Sequence, residues 1–143
     1  MKGFLDPRGI HVVSLMRGDK IRDCLEQYAQ QEELFGAIVS GASIGAVEDP
    51  ELAVYRLAEK KYISRVFSGI YELKLGGNIS LKDGKPFLHA HVTISGEDFI
   101  AYGGHLVEGK IGVLGDFFII PLDHPIRRVM NTEVGLPRWE PGL

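Results

Sequence analysis

The chain has 143 residues, the length of one domain, which can bury about 70% of its unfolded surface around a single core. With 45% hydrophobic and 24% charged residues it is neither a disordered nor a collagen-like chain, and a formal net charge of −3 gives no long-range attraction to a phosphate backbone. Cys24 is the single cysteine, so no internal disulfide forms and a reducing compartment fits. The first residues carry no signal-like apolar run and no segment reaches the length of a membrane span, so the expected location is the cytoplasm, away from membranes.

Ile10 to Met16 is rich in β-branched residues and stops at Gly18, which predicts a first strand. A helix follows, with Asp19 as its expected cap and Ile21, Cys24, Leu25, Tyr28 and Ala29 recurring at helical spacing. Cys24 therefore reads as a small core residue. Phe35 to Ser43 predicts a buried strand in which Gly36 and Gly41 admit another backbone. Asp49-Pro50-Glu51 has the form of a helix start, yet Leu52 to Leu57 suits a strand, and the strand reading is preferred.

From Tyr62 onward the pattern is β, with strands expected over 67–75, 78–81, 87–95, 99–106 and 111–122. Gly76-Gly77, Asp83-Gly84, Gly96-Glu97-Asp98 and Glu108-Gly109 are the expected turns. After Asn131 the sequence has Pro137, Trp139 and Pro141 without periodicity, which predicts an extended arm packed on the surface or reaching a neighbour. The expected fold is α/β of the α+β type: a mixed, largely antiparallel sheet with one main helix packed on it. Residues 1–143 would form one domain, with a core over about 16–129 and a tail over 131–143.

The chemistry concentrates in Leu88-His89-Ala90-His91-Val92 and Gly103-Gly104-His105-Leu106. Residues i and i+2 of a strand share a face, so His89 and His91 project together with Cα atoms about 6.5 to 7 Å apart. A hairpin centred on Glu97 pairs His89 with His105 and puts all three imidazoles on one face, whereas a one-residue slip sends His105 to the other. Three neutral imidazoles suit Zn²⁺ or a similar divalent ion and leave a fourth position for water or a substrate oxygen. His11 and His124 are isolated, and Lys60-Lys61 and Arg127-Arg128 read as short solvated pairs. Glu72 stands out because it interrupts an apolar strand, where it would face an interface or serve as a base near a ligand.

Phe67-Ser68-Gly69-Ile70-Tyr71-Glu72-Leu73 followed by Leu75-Gly76-Gly77-Asn78-Ile79-Ser80, the His89-Ala90-His91 strand and the Gly103-Gly104-His105-Leu106 segment together resemble the plants-and-prokaryotes-conserved (PPC) domain from about Met16 to Val129. The resemblance implies a mixed α/β fold, assembly into homotrimers and, as in prokaryotic members, a metal site at His89, His91 and His105. In plants the domain accompanies AT-hook motifs; Arg8-Gly9-Ile10-His11 lacks the second arginine and the proline of the Arg-Gly-Arg-Pro core. The leading expectation is a homotrimeric metal-binding protein, zinc being the expected ion, that binds or hydrolyses a small anionic or carbonyl ligand. The alternatives are a DNA-associated regulatory module without an AT-hook, which composition does not favour, and a structural or protein-interaction trimer.

Overall fold

The computed structural model describes residues 1–140, without the side chains of residues 41–44. In chain order the elements are β1 (Lys2–Leu5), β2 (His11–Met16), α1 (Ile21–Gln31), β3 (Ala37–Arg56), a 3-10 turn (Leu57–Glu59), β4 (Lys61–Val66), β5 (Ile70–Lys82), β6 (Lys85–Ser95), β7 (Ala101–Pro121), β8 (Arg128–Asn131) and β9 (Leu136–Trp139). The fold is mostly antiparallel sheet with one α-helix, which fits the α+β expectation. The sheet is less mixed than expected: every ladder between strands is antiparallel. The only parallel pairing among the described residues is an isolated bridge between Leu81 and Arg127.

Seven strands lie in the order β1-β2-β7-β6-β5-β3-β4, and β3 also pairs with β7. Strands β3, β5, β6 and β7 thereby form a closed cycle of pairings. Two long strands, β3 and β7, hold the cycle together, each changing partner along its length. Alternation explains the strands. On β6, Leu88, Ala90, Val92 and Ile94 are buried, while the residues between them point the other way. The buried set meets Val13 and Leu15 of β2, Ile21 and Leu25 of α1, Leu75 of β5 and Phe117 of β7 in one apolar cluster.

The helix buries Ile21, Leu25, Tyr28 and Ala29 as the spacing predicts, with Cys24 partly buried at the margin of the cluster. Its cap differs from the expectation. Lys20 is the cap residue and makes no side-chain cap bond, since its ammonium offers no acceptor, and the Asp19 carboxylate instead accepts the Met16 N–H at 3.0 Å within the preceding turn. The Glu108 carboxylate of β7 accepts the Arg22 N–H at 3.2 Å in its place, a long-range cap that also sets an acidic group at the positive end of the helix.

Two expected turns are strand interior. Gly76-Gly77 lies within β5 and Glu108-Gly109 within β7. The physical reason is visible at Gly77, where an added Cβ would lie 2.4 Å from the His89 carbonyl oxygen and 2.9 Å from the Ala90 Cα. Here glycine permits close approach of β5 and β6. Asp83-Gly84 is a turn with positive φ at both residues, as expected. The segment 49–52 follows the strand reading and stays in β3, with a register shift between Glu48 and Glu51 and φ 48° at Asp49. β1 was not anticipated.

The arm after Asn131 folds back as a β8–β9 hairpin rather than running extended. Tyr55 donates to the Val134 carbonyl and Lys60 to the Thr132 carbonyl, tying the hairpin to the β3–β4 side. Trp139 is half-exposed, and Pro141 lies outside the described residues.

Candidate metal centre

The turn between β6 and β7 decides how the histidines meet. It is longer than the expected Gly96-Glu97-Asp98, and spans the residues between Ser95 and Ala101, which are themselves paired. The Phe99 N–H donates to the Gly96 carbonyl at 3.0 Å, the Ile100 N–H to Asp98 Oδ1 at 3.0 Å, and Phe99 has φ 59°. The hairpin therefore centres on Asp98, not Glu97, and His105 faces His91 instead of His89. The shift is two residues. Because side chains alternate with period two, an even shift keeps His105 on the predicted face.

All three imidazoles converge there. Ring centroids are 5.3 Å apart for His89 and His91, 4.8 Å for His89 and His105, and 5.7 Å for His91 and His105. One ring nitrogen from each lies within 4.8 Å of the others. His89 and His105 are half-buried and His91 is exposed. Gly104 helps to set His105: a Cβ on it would lie 2.9 Å from the Ala53 carbonyl oxygen, so a side chain there would push β7 off β3 beside the site.

The environment disfavours the charged form of His89 and His105. The His89 pKa is lowered to about 4, first by burial and then by the positive potential of His105, Arg128, His91 and Arg22. His105 is lowered as well, by burial and then by His91, Arg22 and Arg128. Neutral imidazole carries the lone pair a metal needs. Buried Nδ1 of His105 has no hydrogen-bond partner among the described residues, the condition of a nitrogen available to a ligand. The donor set thus fits a borderline divalent ion such as Zn²⁺.

A pocket of about 290 Å³ opens beside the cluster, lined by Arg22, Tyr62, Lys82, Phe87, Arg128 and Pro137 together with His89 and His105. Tyr62 lies against His105 at 5.1 Å between ring centroids. Arg128 donates through Nε to Ser80 Oγ at 2.6 Å and through Nη2 to Asn78 Oδ1 at 3.0 Å. It is therefore not the solvated charge that the Arg127-Arg128 pair suggested. Sequence reading missed these neighbours, since each comes from a different element and none lies in a local motif. Among residues it did single out, Glu72 is exposed on β5, opposite Ala46 and Ser95, and does not line the pocket. His11 is buried with Nδ1 3.0 Å from the Tyr28 hydroxyl, and His124 is exposed; neither joins the cluster.

Comparison with known proteins agrees with the architecture. A plant- and prokaryote-conserved (PPC) protein of Pyrococcus horikoshii is 34% identical, with a TM-score of 0.84 over 97% of this chain and 94% of that one. A metal-containing protein of Archaeoglobus fulgidus is 28% identical, with a TM-score of 0.83 over 98% of this chain and 94% of that one. A protein of Ralstonia eutropha provisionally named as DNA-binding is 26% identical, with a TM-score of 0.88 over 97% of this chain and 95% of that one. No curated protein matches the chain, and no helix of the described residues is long and apolar enough to cross a membrane. The family model of the Plants and Prokaryotes Conserved (PCC) domain matches residues 6–123, which takes in the whole β-cycle and its histidine face, and the chain belongs to that family.

Proposed function

We propose that this protein is a homotrimeric metal-binding PPC-domain protein in which His89, His91 and His105 hold one divalent ion, zinc being the best match to the donors. The carrying observation is the approach of three imidazole nitrogens to within 4.8 Å of one another. Zn–N bonds of about 2.0–2.1 Å place tetrahedral ligand nitrogens roughly 3.3–3.4 Å apart. Small ring movements on the two strands would close that difference. The metal-containing Archaeoglobus fulgidus relative supports the reading.

A fourth coordination position would face the pocket that holds Arg22, Tyr62 and Arg128. A bound ion supplies Lewis-acid polarisation of a ligand oxygen there; the chain's own contribution is to position the ligand and shield it from water. Among the described residues no carboxylate lines the pocket, so the reading rests on binding, and hydrolysis of a small ligand would need a base other than a carboxylate of that lining. Residues 1–143 act as one domain in this reading. For trimer assembly, Ile38 and Ile120 are cross-strand partners on β3 and β7 and, with nearby Phe118, leave an exposed apolar face that assembly would cover.

Titration of Zn²⁺ into metal-free protein against a coloured chelator tests the site. One equivalent per chain is expected, with at least about tenfold weaker binding in His91→Ala, which removes an exposed ligand at little cost to the core. Equal affinity in the variant would remove His91 from the site, and no uptake would end the metal reading. A DNA-associated role is the second reading, supported by the name of the Ralstonia eutropha relative. It predicts duplex binding at about 50 mM salt that weakens steeply as salt rises; undetectable binding there would contradict it.

A further inference from the structure

Three cations gather around one aromatic ring in the pocket. The Arg22 guanidinium carbon is 5.0 Å from the Phe87 ring centroid, Lys82 Nζ is 4.9 Å away and the Arg128 guanidinium carbon 5.5 Å. Like charges gathered around one ring repel, and the ring quadrupole offsets only part of the cost. One carboxylate answers them: Glu26 pairs with Arg22 at 3.0 Å. Among the described residues neither Lys82 nor Arg128 has an ionic partner. Arg128 is instead anchored by neutral acceptors, Ser80 Oγ, Asn78 Oδ1 and the Pro137 carbonyl. A guanidinium has five N–H donors, so donors remain for a ligand. Arg22 Nε is buried without a partner as well.

We propose that this pocket binds a small dianionic oxyanion ligand, its negative oxygens received by Arg128, Lys82 and Arg22 and its body resting between Phe87 and Tyr62. The inference deepens the metal-site reading, since His89 and His105 form the same wall and a held metal would take one ligand oxygen. It also stands on a separate feature, two cations without counter-ions. Neutral or singly charged ligands would leave one of them unanswered. The volume of about 290 Å³ lies at the small end of ligand pockets, roughly 300–1,000 Å³, which points to a compact metabolite. Phosphate and dicarboxylate share this chemistry, and the experiment separates them.

Inorganic phosphate, succinate and acetate are titrated calorimetrically into zinc-supplemented wild-type protein and into Lys82→Glu and Arg22→Gln, with zinc content measured on every sample. Lys82 is exposed, so its variant should fold. One dianion per chain is expected to bind at least about tenfold more tightly than acetate, and Lys82→Glu to weaken it about tenfold or more without loss of zinc. The tighter of phosphate and succinate identifies the head group. No saturation by either dianion, or wild-type affinity in Lys82→Glu, overturns the proposal even if zinc is stoichiometric. Dianion binding that depends on Lys82 in zinc-supplemented protein that has taken up no zinc upholds the pocket while refuting the metal reading.

Discussion

Protons and a metal ion compete for the same lone pairs on His89 and His105. Burial and neighbouring positive charge hold the His89 pKa near 4 in the fold, against about 6.5 for an unstructured histidine. Between those values the unfolded chain binds more protons than the folded one, so stability of metal-free protein rises with pH across that window and is level above it with respect to this group. Denaturant unfolding of metal-free protein should therefore show stability falling as pH drops from about 6.5 towards 4, with a smaller fall in His89→Gln; an equal fall in both would place the effect elsewhere. At the same scale, Arg128 shows what a residue type alone does not convey. Its charge looked solvent-facing beside Arg127, and only the return of β8 beside β5 brings it to Asn78 and Ser80.

Strand elements carry the site through their pairing. Alternation along β6 was legible and put His89 and His91 on one face; the loop length was not, because Phe99 in a left-handed conformation is not suggested by its residue type. The resulting two-residue error in register kept the face, which is why the cluster was legible though its partners were wrong. Glycine was the ambiguous signal. Gly76-Gly77 has the form of a turn, yet it serves close strand contact, and the two glycines differ. A Cβ at Gly76 meets nothing within 4 Å, whereas at Gly77 it meets backbone at 2.4 Å. Gly76→Ala should change stability by no more than about 0.5 kcal/mol, and Gly77→Ala should cost about 1–3 kcal/mol and weaken zinc uptake by displacing His89. Similar unfolding midpoints for the two would contradict this account of the β5–β6 contact. The helix was read from its apolar spacing, but its cap was not, since Glu108 arrives from a strand far along the chain.

Over the whole molecule, composition and strand pattern were enough for the α+β class, while the closed cycle of β3, β5, β6 and β7 was not legible. That closure depends on β3 and β7 each serving several partners along strands far longer than local turn signals suggested. The metal reading ties the site to this framework, because the ligands bridge β6 and β7. Zinc should therefore stabilise the fold with the logarithm of its free concentration, by about 4 kcal/mol at a thousandfold excess over the dissociation constant, and raise the unfolding temperature accordingly. The most direct test is elemental analysis of untagged wild-type protein beside a His89→Ala, His91→Ala, His105→Ala variant, each checked for folding and mass in solution. The account predicts close to one metal ion per chain in the wild type and none in the folded variant. Less than about 0.1 ion per chain in wild-type protein grown with added metal, or equal metal in both proteins, would contradict it.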